Sequence, residues 1–325
     1  MVENRWWRWV RGGFARARRG VPAALGAVGR LAIMRTDEDS WDINTGVGST
    51  ALFVAAARAL GGRAGDAPAR DPLAELFVSA AGGEWADLLA GRQPEHPLLT
   101  TDFGIPFQQH QLFRTRYFDD CLDAAVASGI RQVVVLAAGL DARAYRLPSL
   151  AGCTVYELDR PQVLDYKRET LARAGREPIA DRREVAVDLR GDWPKALRDS
   201  GFDSDQPTAW LIEGLLIYLT PTAQDQLFDT VHSLSAPGSR AAVEQMDPLP
   251  AEAAEALAAD GESGSEWVKL IYNEPRSDTT TWFTDRGWTG ERIYLPDYIR
   301  SLGYTPEGPE GRQQSLISLV TVTRP

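Results

Sequence analysis

The chain has 325 residues, 44% hydrophobic and 25% charged, a size and balance that suit one large α/β domain with additions. A net charge of −10 and a pI near 5.0 argue against nucleic acid as the main partner. Cys121 and Cys153 fall in an apparent helix and an apparent strand and read as reduced core residues. The histidines His96, His110 and His232 show no metal-ligand spacing, so no metal is expected. No uninterrupted apolar run approaches the length of a membrane span, and the expected location is the cytoplasm.

Residues 1–34 are set apart by composition. Arg5, Arg8, Arg11, Arg16, Arg18, Arg19 and Arg30 stand against a lone Glu3, with Trp6, Trp7 and Trp9 among them. The expectation is a poorly ordered extension outside the chemistry. Contact with an anionic membrane surface is an alternative. Arg18-Arg19 before a short apolar stretch faintly resembles a twin-arginine export signal, and a true start near Met34 is a further reading.

Residues 35–128 look helical, as a cover. Ser49-Thr50 precede a strong helix former, 51–60, that Gly61-Gly62 close. Asp71-Pro72 have the cap and first-turn residues of a second helix. A third is expected from about Phe107 to Ser128, with Leu112, Phe113, Tyr117, Cys121, Leu122 and Ala125 near a 3.6-residue period. From Arg131 strands and helices alternate. Strands are expected at 132–137, 154–158, 184–187, 209–213 and 240–244, and helices at 161–173, 193–198 and 221–234. That rhythm predicts a parallel sheet with helices on both faces. Residues 247–280 read as helix plus a mobile loop, 296–302 as a helix, and 315–322 as a last strand in an antiparallel edge.

The stretch 133–143, Val-Val-Val-Leu-Ala-Ala-Gly-Leu-Asp-Ala-Arg, organises this plan. Its four aliphatic residues read as a strand buried on both faces. The small residues after it allow a tight turn and close approach of a ligand to the main chain. About twenty residues on, a second strand ends in Glu157-Leu158-Asp159. A carboxylate at that offset suits ribose hydroxyls. Acidic or small residues also end the other strands: Ala138-Gly139, Asp188 and Glu213. The glycine turn is incomplete for a pyrophosphate, and so many carboxylates would repel one. An adenosine carrying a sulfonium and an ammonium suits these ends better. Its carboxylate needs a cation, which Arg114 or Arg116 is placed to supply.

Five ordered segments carry a resemblance: 114–119 (Arg-Thr-Arg-Tyr-Phe-Asp), Gly139 with 141–147, 156–161, 187–189 and 213–219. Together with 35–42 they resemble the leucine carboxyl methyltransferase family, in its actinobacterial branch of S-adenosyl-L-methionine-dependent methyltransferases. The resemblance covers about 35–325. It implies a class I methyltransferase fold: a Rossmann-like parallel sheet with an antiparallel edge strand and an N-terminal helical cover. It implies S-adenosyl-L-methionine as cofactor. Carried over by position, Arg116 resembles the arginine on the cofactor carboxylate, and Ala138-Gly139 the close-approach turn. Asp159 resembles the acid on the ribose, Asp188 and Leu189 the pair flanking the adenine, and Glu213 the acid near the methionine amine. One departure is Ala137-Ala138-Gly139 where better-studied members have Gly-Ala-Gly.

Each site residue also has a structural reading. Arg116 suits a helical pair with Asp119 or Asp120, and Asp188 a cap for the helix near Trp193. Glu213 in an apolar run needs a charged partner or donor. No histidine is expected near a strand end. This leans toward a carboxylate acceptor, which needs no general base, or a phenol that ionises readily. Arg143, Arg146 and Tyr218 are candidates to face the acceptor, with an arginine holding an acidic substrate. The acceptor is expected to be a small molecule; a protein C-terminus, the substrate of the family's eukaryotic members, is the alternative. Rival functions are a non-catalytic nucleoside-binding protein and, given the missing glycines, less readily a nicotinamide-dependent oxidoreductase.

Overall fold

A computed structural model describes residues 46–251, 271–307 and 314–325. The basic extension, the 35–42 segment and residues 252–270 lie outside the described residues. The first helices are α1 (Gly46–Gly61), α2 (Ala74–Ala81), α3 (Gly83–Leu89) and α4 (Gly104–Ala127). The second expected helix therefore starts three residues after Asp71. The Asp71 carboxylate accepts from the Leu73 and Ala74 amides at 3.1 and 3.2 Å, so it still closes the helix entrance. Gly82, with φ of 70°, then breaks the run into two short helices. Leu52, Ala55 and Ala56 of α1 are wholly buried against Phe77, Val78, Leu88 and Leu98. Burial of each such leucine contributes about 1.5–3 kcal/mol, which is why these helices pack as one layer.

The sheet follows: β1 (Gln132–Leu136), β2 (Thr154–Asp159), β3 (Asp181–Ala186), β4 (Thr208–Ile212), β5 (Arg240–Met246), β6 (Thr289–Tyr294) and β7 (Ile317–Thr323). Between them run α5 (Arg143–Arg146), α6 (Pro161–Arg173), α7 (Trp193–Asp199), α8 (Pro221–Ser233), α9 (Thr279–Thr284) and α10 (Leu295–Ser301). The order is β3-β2-β1-β4-β5-β7-β6. The first five strands pair in parallel, and β7 runs antiparallel to both β5 and β6. The final strand is thus inserted beside β5, and β6 forms the outer edge. Central β1 and β4 are buried at every residue, as an aliphatic run covered on both faces requires. One core cluster, with Trp210, Phe228 and Phe283, lies on one face. A second, with Phe113, Phe118 and Leu295, lies on the other.

Strand order reverses direction between β1 and β4. In open α/β sheets the crevice at the carboxyl ends of such a pair takes the ligand. Among the described residues no helix is long and apolar enough to cross a membrane. Both cysteines are free thiols.

Candidate active site

A cavity of about 320 Å³ occupies that crevice, within the range of small-molecule sites. Its floor is the turn after β1. Ala138 donates its amide to the Leu158 carbonyl at 2.9 Å, and Asp141 donates to the Ala138 carbonyl at 2.9 Å. Gly139 has φ of 49°, and Ala51 of α1 stands 3.8 Å from where a Cβ on it would lie. That distance is an ordinary contact, so the positive φ, rather than want of space, is what favours glycine at 139.

Asp159 closes β2 at the edge of this turn. Its Oδ2 accepts from the Gly139 amide at 2.6 Å and its Oδ1 from the Arg160 amide at 2.7 Å. Burial raises its pKa, and the two amides pull the other way. A carboxylate has about four acceptor sites, so capacity remains for a diol. Asp188 follows β3, half-buried, gripped by Arg190 and by Arg160 at 3.0 Å. It caps no helix: Asp192 caps α7, accepting from the Lys195 amide at 3.1 Å. Leu189 lines the cavity beside it. Glu157, two residues before Asp159, is wholly buried and paired with Lys167 and Arg182 at 2.7 and 2.6 Å, away from the cavity.

Glu213 ends β4 between two arginines. Arg114 Nε lies 2.9 Å from its Oε1 and Arg143 Nη1 2.8 Å from its Oε2. Arg143 also pairs with Asp119 at 2.7 Å and with Asp141. Burial opposes the Arg143 charge, yet these three carboxylates raise its pKa well above the usual value. Arg146 pairs with Asp119 at 2.7 Å. Arg143 and Arg146 line the cavity but are committed to protein carboxylates, so the expected grip on an acidic substrate is already occupied. The acids at the strand ends are likewise matched by arginines. The crevice is not the bare negative wall that the sequence argument against phosphate assumed.

Arg116, expected on the cofactor carboxylate, stands outside the cavity. Its side chain is 46% exposed, pairs with Asp120 at 2.8 Å, and does not line the cavity. Arg114, two residues earlier, is buried and does. A step of two residues on a helix turns the side chain by about 200°, so only one of the pair can face inward. Tyr218, in the single turn Leu216–Tyr218 after β4, is half-buried at the cavity wall.

His110 is the residue that the sequence reading missed. Its Nε2 lies 2.8 Å from Glu244 Oε1 on β5, and both line the cavity. The expectation that no histidine comes near a strand end fails, because α4 lies across the sheet. Phe107, His110, Gln111 and Arg114 fall at i, i+3, i+4 and i+7 on that helix, and all line the cavity. Polar residues at the spacing of a buried stripe were the available signal. Among the described residues, no group of three or more His, Cys, Asp or Glu has the placement to hold a metal ion.

The strand order, with a parallel β3-β2-β1-β4-β5 run and β7 reversed beside it, is that of the class I methyltransferases. The leucine carboxyl methyltransferase family profile matches residues 51–232. The chain belongs to the leucine carboxyl methyltransferase family. A candidate S-adenosyl-L-methionine-dependent methyltransferase of Mycolicibacterium paratuberculosis is 51% identical over 295 residues, covering 89% of this chain and 98% of the relative. One from Mycobacterium tuberculosis is 53% identical over 284 residues, covering 85% and 94%. Among solved structures, a candidate methyltransferase from Thermobifida fusca aligns over 77% of this chain and 92% of its own, at 16% identity and a TM-score of 0.48.

Proposed function

We propose that this S-adenosyl-L-methionine-dependent methyltransferase passes its methyl group to an oxygen, carboxylate or hydroxyl, of a small organic acceptor. The observation that carries this reading is the continuity of the cavity. Asp159, Asp188 and Leu189 stand at its nucleoside end, and Phe107, Leu216, Met246 and Ile317 give it an apolar far end under α4. An apolar end roofed by a helix suits a small molecule better than the flat surface of a protein.

The donor set fits the cofactor. Asp159 has acceptor capacity for ribose hydroxyls, and Leu189 with Val163 offers apolar edges to a purine beside Asp188. Gly139 leaves main chain bare at the turn. Glu213 at the end of β4 is the acid assigned to the amine, and Arg114, itself paired with Glu213 and Glu244, is the α4 arginine that lines the site. Bound S-adenosyl-L-methionine supplies an electrophilic methyl carbon on a sulfonium. The chain's part is alignment and exclusion of water, done by the α1 and α4 roof.

The test is calorimetry with S-adenosyl-L-methionine, S-adenosylhomocysteine and NAD on wild type and Asp159→Ala. The two sulfur nucleosides bind the wild type, and the variant loses about tenfold or more, the worth of a charge-assisted hydrogen bond. Binding of NAD alone, or of none of the three, would overturn the reading. Methyl transfer into an alkali-labile product then identifies an ester, and into an alkali-stable one an ether.

A further inference from the structure

Resting on that reading, we infer that His110 is the general base of the methyl transfer, with Glu244 orienting it, and that the acceptor group is therefore a hydroxyl, such as a phenol or enol. Glu244 is held at both carboxylate oxygens. Its Oε1 meets His110 Nε2 at 2.8 Å, and its Oε2 accepts from Arg114 Nη1 at 2.9 Å and from the Gly214 amide at 2.8 Å. Burial pushes its carboxyl up, but the Arg114 guanidinium beside it outweighs this and holds its pKa low. Glu244 is an ionised carboxylate and can only accept. His110 Nε2 therefore donates to it, and in the neutral imidazole the lone pair is then on Nδ1, where the Gln111 side-chain amide approaches as a donor.

What lies around Nδ1 is permissive. Gln111 Nε2 approaches it at 3.3 Å, the long end of a hydrogen bond, so a stronger donor can take its place. The Phe107 ring stands edge-on to the imidazole, 6.0 Å between centroids at 85°, fixing its plane. His110 is 9% exposed and its charged neighbours are Glu244 and, behind it, Arg114. The pair sits over β5, on the far side of β4 from Gly139, Asp159 and Asp188. That is the acceptor half of the cavity. A carboxylate acceptor would have no use for a base here, whereas a hydroxyl loses its proton on methylation.

The step balances. The acceptor O–H bond breaks and its proton passes to His110 Nδ1. The oxygen forms the new O–C bond, and the methyl–sulfur bond breaks with its electron pair on sulfur. The imidazolium faces the Glu244 carboxylate and returns the proton to solvent.

The probe is 4-nitrophenol, whose phenolate absorbs where the phenol does not, added to protein saturated with S-adenosylhomocysteine. At a pH where the free probe is mostly neutral, the wild type binds it as phenolate. In His110→Asn and His110→Phe the ratio of ionised to neutral bound probe falls about tenfold or more, one pKa unit being the low end of what an adjacent charge supplies. Histidine nitrogen NMR of the wild type reports protonation of Nδ1 on probe binding. No saturable binding, a neutral bound probe, or ionisation unchanged in both variants would overturn the inference. So would loss of S-adenosylhomocysteine binding in both variants, which would make His110 a structural residue. Failure of the wild type to bind S-adenosylhomocysteine sinks the methyltransferase reading itself, and the two failures are thereby distinct.

Discussion

Arg143 Nη1 stands 2.8 Å from Glu213 Oε2, and the same carboxylate meets Arg114 Nε at 2.9 Å through its other oxygen. One acid thus ties the turn after β1 to the roof helix through β4. Removing its charge leaves two buried guanidinium groups short of a partner. Glu213→Gln is expected to lower stability by about 3–5 kcal/mol in urea unfolding. A change under 1 kcal/mol would show that Asp119, Asp141 and Glu244 already satisfy both arginines.

Arg114 and Arg116 make the opposite prediction for neighbours on one helix. Arg116→Ala removes an exposed i,i+4 pair with Asp120 and is expected to cost no more than about 0.5 kcal/mol, with cofactor affinity unchanged. Arg114→Ala takes the shared cation from buried Glu213 and Glu244, leaving them Arg143 and His110 respectively, and is expected to cost about 3 kcal/mol or more. Calorimetric titration of both with S-adenosylhomocysteine decides. Weakened binding in Arg116→Ala alone would restore it to the site.

This pair also marks what a sequence can carry. Val133 to Leu136 were legible as a buried strand because an aliphatic run covered on both faces has few alternatives. The place of Asp159 beside the Gly139 turn was legible because the offset between them is a local property of one strand–turn–strand unit. Arg116 and His110 were not, because which face of α4 meets the sheet is set by tertiary packing. His110 and Glu244 are 134 positions apart, and nothing local pairs them. The place of β7 beside β5 rather than at the edge has the same origin, since a period-2 pattern fixes a face and not a neighbour.

Acid should unfold the protein through Glu244 and Asp141. Both are buried, which pushes their carboxyls up, but Arg114 for the first and Arg143 for the second outweigh this and hold each at about 2. Their ordinary values are 4.5 and 3.8, so the stability they contribute is complete above those values and is lost as pH falls toward 2. Glu244 alone accounts for a loss on the order of 3 kcal/mol. Asp159 runs the other way: burial raises its pKa, so its ionised form costs stability that acid relieves. Urea midpoints between pH 5 and 2 are expected to fall more gently in Glu244→Gln, from a lower start. Parallel curves for variant and wild type would remove Glu244 from the account.

Ala137 has φ of 52°, the left-handed region, where a Cβ crowds the following carbonyl. Among the described residues no other non-glycine side chain has positive φ. The cost of that conformation is about 1–2 kcal/mol. Ala137→Gly removes it but frees the unfolded chain by about 0.4–1 kcal/mol, so the net gain is expected to be between zero and about 1 kcal/mol. Ala137 also lines the cavity, so the same change is expected to leave cofactor affinity equal or tighter. Ala137→Val places a β-branched side chain in the same region and should lose at least about 1 kcal/mol. Thermal unfolding of the two variants checks the sign. A destabilised Ala137→Gly would mean that the methyl's packing against the sheet core outweighs its strain.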